Sequence, residues 1–304
     1  MHPRFEGTVL PARMPNADID RPPIDPRWGT VSPLHDPHAL AFFQARPTDV
    51  IITTAPKAGT TWMQQILHQM RTGGDTSFGT IFEVVPWIEW PLPSRTWRQA
   101  LALFESLPNP RVFKTHCTYA QTPGVGTAKI ILTVRDPCEC CVSFYHHVSG
   151  LKKELLPDMP LIAFADMQAG VDHFLRVGAW VRNVKGWWAH RNDPGILMLR
   201  YSDLVADLGA NVDRIADFLG WELTPSARAR VLEHSSIEWM RTHSDRFTRQ
   251  LATDEVAFHP DTFIRKGKVG AASDDLTPAQ EAQILDVVRA ELEPDCLDYL
   301  GLRA

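Results

Sequence analysis

The side chains best able to do chemistry in this 304-residue chain sit in four short stretches. "APKAGTTW" holds Lys57, Ala58, Gly59, Thr60, Thr61 and Trp62, and "FKTH" holds Lys114 and His116. "RDPCECCVS" holds Arg135 and Ser143, and "FIRKGKVG" holds Arg265, Lys266 and Gly267. Cations and hydroxyls at a glycine turn suit a phosphate-like anion, because charge, short donors and close backbone approach come together there. An imidazole beside such a site can accept a proton near neutral pH. The lysine precedes the glycine, so the G-x-x-x-x-G-K-[ST] spacing of a triphosphate-hydrolysing loop is absent. Three of the stretches also have a plainer use: Thr60 or Thr61 caps its own helix and Trp62 belongs to the core, His116 is a satisfied core histidine, and the basic run is a solvated loop.

Four short apolar runs, 50–54, 111–115, 130–134 and 196–200, read as buried strands. Helical patterns lie between and after them at 61–71, 98–107, 137–148, 173–191 and 203–219, with Asp136 as N-cap and Pro137 at N1 of the third. Strands alternating with helices predict an α/β fold, a single domain with a central parallel sheet flanked by helices. Ligands of such sheets bind beyond the carboxyl ends of the strands. Lys57, Lys114, His116, Arg135 and Tyr201 all follow or close a strand, so they are expected on one rim. No use other than anion binding is evident for Arg135, Ser143 and Arg265.

Residues 1–37, rich in Pro and Asp, predict an extended arm laid along the surface, ahead of a domain over 38–304. Composition is that of a soluble protein, 44% hydrophobic and 22% charged with a net charge of −5, which argues against a nucleic-acid partner. No apolar signal segment or membrane-length run is present, so a cytoplasmic protein with no membrane partner is expected. The five cysteines are odd in number and unevenly spread; Cys138, Cys140 and Cys141 fall in a helical pattern and read as apolar filler, not as a metal or redox site.

Taken in order, "FFQARPTDVIITTAPKAGTTWMQQIL", "FKTH", "VRDPCECCVSFYHH", "ILMLRYSDL", "SSIEWM" and "FIRKGKVG" resemble the cytosolic sulfotransferase family over about residues 42 to 270. The resemblance implies a P-loop-like architecture and transfer of a sulfuryl group from 3′-phosphoadenosine 5′-phosphosulfate (PAPS) to an acceptor, leaving 3′,5′-ADP, with no metal. It implies that Lys57 neutralises the leaving phosphate and that Ala58, Gly59, Thr60 and Thr61 form the 5′-phosphate loop. Trp62 would stack on adenine, and Arg135, Ser143, Arg265, Lys266 and Gly267 would hold the 3′-phosphate. Tyr201, Ser235 and Ser236 would contact the nucleoside, Lys114 the sulfuryl oxygens, and His116 would be the general base. A P-loop-type nucleotide-dependent kinase and a non-catalytic 3′-phosphoadenosine nucleotide-binding protein are the alternatives. The first lacks its loop spacing, and the second would lack Lys57 or His116, both of which are present.

The chain departs from the family pattern at Ala55, where relatives carry Tyr, and at Ile237, where they carry Phe, so adenine stacking from Trp62 is expected to be one-sided. No clear dimer motif follows "RKGKVG", which leaves monomer and homodimer both open. "IFEVVPWIEW" places Trp87 and Trp90, with His147 and Phe247, in the region that lines the acceptor pocket of relatives. Aromatic walls favour a small-molecule phenol or alcohol over an amine, and His147 in place of Phe favours a more polar acceptor.

Overall fold

The structure, a computed structural model, describes residues 21–32, 35–90, 96–152, 163–248, 263–264 and 270–303. Among these residues its centre is a four-stranded sheet in the order β2-β1-β3-β4, built from β1 (Val50–Thr53), β2 (Val112–Thr115), β3 (Lys129–Val134) and β4 (Ile196–Arg200). All neighbours are parallel, with Thr53 beside Thr115 and Val134 beside Arg200, so the carboxyl ends of the strands form one edge.

The strands are apolar on both faces, and their alternation divides the core in two. Ile51, Phe113, Ile130, Leu132 and Met198 face one cluster, packed by Trp180, Trp187 and Cys140. Val50, Ile52, Val112, Ile131 and Leu199 face the other, packed by Met63, Ile66, Leu67 and Ile215. All five cysteines are buried and free, as filler would be.

Two expected helices are each broken once. The pattern over 173–191 becomes Met167–Val177 and Ala179–Trp188, because Gly178 at φ 58° ends the first and starts the second. The pattern over 203–219 becomes Tyr201–Ala206 and Leu208–Leu219, with the Asp207 carboxylate accepting from Ala210 N at 2.9 Å. The second half of the expected arm is more than a surface strap. Trp28 is buried in the first core cluster, and Asp36, paired with Arg21 at 2.9 Å, caps the helix Pro37–Ala41. No helix among the described residues is long and apolar enough to cross a membrane.

Candidate active site at the carboxyl edge of the sheet

The loop after β1 turns through two left-handed residues, Lys57 (φ 69°) and Gly59 (φ 100°), before the helix Thr60–Thr72. Gly59 is required by space as well as by φ: a Cβ there would lie 2.8 Å from Cδ2 of Tyr201. Gly59 is also the N-cap, and no side chain among the described residues caps this helix. The plainer reading of the threonines therefore fails. The Thr60 hydroxyl bonds that of Thr54 instead, and the first peptide N–H groups, with the positive end of the helix dipole, remain available to an anion. The Thr133 hydroxyl donates to Ala58 O at 2.7 Å and ties the loop to β3.

β2 brings up Lys114 and His116, and residues 86–89 add to its free edge. Lys114 N donates to Pro86 O at 2.9 Å, and Ile88 N donates to Lys114 O at 3.0 Å. The two-residue alternation then puts Trp87 and Glu89 on one side. The Trp87 ring meets His116 edge-on at 4.9 Å and stacks on Trp90 at 4.7 Å. The Lys114 ammonium lies 4.1 Å from the Trp87 ring centre. Glu89 Oε1 accepts from the backbone N of His116 at 2.8 Å.

His116 Nδ1 lies 2.9 Å from Thr54 O. A carbonyl only accepts, so Nδ1 carries the proton and Nε2 keeps its lone pair. Burial, then the charges of Lys114 and Lys57, push the His116 pKa from 6.5 down to about 3. Burial lowers Lys114 from 10.5 to about 8, against the opposing pull of Glu89. At neutral pH the site therefore holds a neutral imidazole among cations.

Arg135 closes the rim from β3. Its guanidinium lies 4.5 Å from the Tyr201 ring centre, its Nε donates to Glu139 Oε2 at 2.8 Å, and its Nη1 donates to Lys57 O at 3.3 Å. A use other than anion binding is therefore evident: Arg135 neutralises a buried carboxylate, which accepts from Gly270 N as well. Asp136 is spent on the N-cap of Pro137–Ser149, accepting from Glu139 N at 2.9 Å. Ser143 lies further along that helix, half-buried, and among the described residues no hydrogen bond joins it to Arg135.

Trp62 donates from Nε1 to Ser235 O at 2.7 Å and meets Tyr201 edge-on at 5.5 Å, so its indole is fixed in the rim. The Ser235 hydroxyl is buried and, among the described residues, has no hydrogen-bond partner. That of Ser236 caps the helix Ile237–Thr242, accepting from Trp239 N at 3.2 Å. Ile237 is 39% exposed. Lys57 Nζ reaches His147 Nδ1 at 2.9 Å and lies 5.1 Å from the centre of the Phe263 ring.

Lys57, Lys114, His116, Arg135, Tyr201, Trp62, Trp87 and His147 therefore share one edge. Phe247 does not join an open wall; it is 1% exposed and seated in the second core against Trp239, because its short helix Asp245–Thr248 turns that ring inward. Arg265, Lys266 and Gly267 lie outside the described residues. Glu89 and Thr54 were not anticipated. A lone acid in the apolar stretch "PWIEW" was the available signal for Glu89; Thr54 had none, since it acts through its main chain. Among the described residues, no group of three or more His, Cys, Asp or Glu side chains is placed to hold a metal ion.

A parallel sheet with an uncapped helix start, two lysines and a tautomer-locked histidine at its carboxyl edge defines an α/β enzyme built around an anionic ligand. Residues 47–294 match the model of the sulfotransferase domain, most of the chain. The chain belongs to the sulfotransferase family, and it is a transferase of sulfuryl groups. Sulfotransferase 1C2 of rabbit (Oryctolagus cuniculus) is 28% identical over 265 residues, covering 84% of this chain and 87% of that one. Sulfotransferase 1A1 of rat (Rattus norvegicus) is 29% identical, covering 88% and 90%. Among solved structures, retinol dehydratase in complex with retinol and PAP aligns with a TM-score of 0.68 at 25% identity, covering 86% of this chain and 84% of that one. Mouse sulfotransferase SULT7A1 complexed with PAP shares the fold, with a TM-score of 0.68 at 23% identity, covering 88% and 93%.

Proposed function

We propose that this protein moves the sulfuryl group of PAPS directly to a hydroxyl of a small, flat or hydrophobic acceptor, with His116 as general base. The observation that carries the reading is the His116–Thr54 hydrogen bond, which leaves Nε2 unprotonated on the same edge as Lys57, Lys114 and the uncapped helix start. The residues fit the donor. Tyr201 behind Gly59 leaves no room for a side chain in the 5′-phosphate loop, and related structures carry PAP.

Bound PAPS supplies a sulfur whose bond to the 5′-phosphate is the one that breaks. Thr60, Thr61 and the peptide N–H groups after Gly59 hold that phosphate, and Lys57 places positive charge at the leaving oxygen. Arg135 and Ser143, with Arg265, Lys266 and Gly267, hold the 3′-phosphate. Trp62 packs on adenine, and Tyr201, Ser235 and Ser236 line the nucleoside. Lys114 steadies the sulfuryl oxygens while Nε2 of His116 takes the proton of the attacking hydroxyl. The lysines that weaken His116 as a base are those that an anionic donor neutralises, so donor binding raises its basicity when the acceptor arrives. The stacked Trp87–Trp90 pair beside His116 supports a flat acceptor.

The test is transfer of label from radiosulfur PAPS to a panel of phenols, sterols, alcohols and amines, alongside thermal shifts with 3′,5′-ADP and with ATP–Mg²⁺. Labelled phenol or alcohol and a shift with 3′,5′-ADP are expected. Stabilisation by ATP–Mg²⁺ alone, without label transfer, would overturn the reading.

A further inference from the structure

The Lys57 side chain meets a residue 90 positions away: its Nζ lies 2.9 Å from His147 Nδ1. An ammonium carries donors only, so Nδ1 accepts and the ring proton of His147 sits on Nε2. Lys57 is also held at its backbone. It is the one non-glycine residue with positive φ among those described, and its carbonyl accepts from Arg135 at 3.3 Å. Such a conformation is strained and persists where the surroundings over-determine it. His147 stands in the last turn of Pro137–Ser149, 5.7 Å from the Phe263 ring, so helix and loop meet around the ammonium. Burial and the charges of Lys57 and Lys114, with His116, hold the imidazole neutral, which the contact requires.

We propose that His147 is the positioning residue for Lys57: its Nδ1 sets the direction in which the ammonium meets the leaving phosphate oxygen. This rests on the reading of Lys57 as the leaving-group cation of PAPS. It extends the expectation that His147 only lines the acceptor pocket. A misdirected ammonium still attracts the anion but no longer meets charge where it develops, so the loss falls on kcat more than on binding.

The experiment compares His147→Phe, His147→Asn and His147→Gln. Asn places an acceptor near the position of Nδ1; Gln places one further out, near Nε2. For His147→Phe, kcat is expected to fall by about 10–100-fold, the scale of a small misplacement. KM for the acceptor and affinity for 3′,5′-ADP by calorimetry should stay within a few-fold. His147→Asn should recover most of kcat, and His147→Gln should not. If His147→Phe does not fold, the comparison of Asn with Gln decides alone. Unchanged kcat in His147→Phe, or Gln serving as well as Asn, overturns the proposal while label transfer by the wild type leaves the functional reading standing. A wild type that transfers nothing overturns both.

Discussion

His116 and Thr54 are joined at 2.9 Å, imidazole Nδ1 to main-chain oxygen, and this one contact decides which nitrogen of the ring can take a proton. Removing the proposed base while leaving the anion site should separate chemistry from binding. For His116→Ala, kcat is expected to fall by about 10²–10⁴-fold, the usual contribution of a general base. Affinity for 3′,5′-ADP, measured by calorimetry, should be retained. Substantial turnover in this variant would remove His116 from that role.

The same site sets the pH profile. A base is active when deprotonated, and His116 is already neutral above about pH 3. The kcat/KM profile, which reports the free enzyme, should therefore show no acid limb near 6.5. Lys114 loses its charge as pH rises through about 8, so an alkaline fall is expected there. Lys114→Arg, with a cation that does not titrate in this range, should push that fall upward. Rates measured from pH 5 to 10 would show a limb at 6.5 if the site were built otherwise.

Gly59 can be challenged by a single methyl group. Gly59→Ala puts a Cβ 2.8 Å from Tyr201 in a backbone conformation of φ 100°. A destabilisation of about 1–3 kcal/mol is expected, with loss of 3′,5′-ADP binding. Tyr201→Phe should not rescue it, since the clashing ring carbon remains. Chemical denaturation and calorimetry read both effects.

Arg135 and Glu139 share a double duty that a cycle can resolve. Arg135→Ala leaves the Glu139 carboxylate, 4% exposed, without its guanidinium. Breaking one side of a buried pair costs about 3–5 kcal/mol. Adding Glu139→Gln should return much of the stability. It should not return the preference for 3′,5′-ADP over adenosine 5′-phosphate, which we propose Arg135 sets. Recovery of that preference in the double variant would detach Arg135 from the 3′-phosphate.

His68 ties stability to pH. Burial, then Arg71, lowers its pKa from 6.5 to about 4 in the folded state. The unfolded chain therefore takes up the proton first as pH falls, and stability declines between 6.5 and 4 by up to about 3 kcal/mol from this group. Unfolding free energies across that range should slope less steeply in His68→Gln, which does not titrate. An identical slope would place the effect on other histidines.

Much of this was readable from residue order. Doubly buried parallel strands must be short apolar runs, so β1 to β4 were expected within a residue of where they lie. A carboxylate followed by proline marks a helix start through forces confined to one turn, and Asp136–Pro137 behaves so. Strand ends in such a sheet converge, which brings Lys57, Lys114, His116 and Arg135 to one edge from positions spread over 79 residues of chain.

Pairings across elements were left to the tertiary structure. Whether Lys57 meets His147, whether Glu89 meets the backbone of His116, and whether Phe247 faces a pocket or the core all depend on where whole helices and loops settle against the sheet. The breaks at Gly178 and Asp207 are of the same kind, since an apolar period of 3.6 runs through both and only packing shows where the axis must turn. Local chain chemistry dictates conformation and period over a few residues. The direction of a buried proton or charge is settled by neighbours that sequence distance does not reveal.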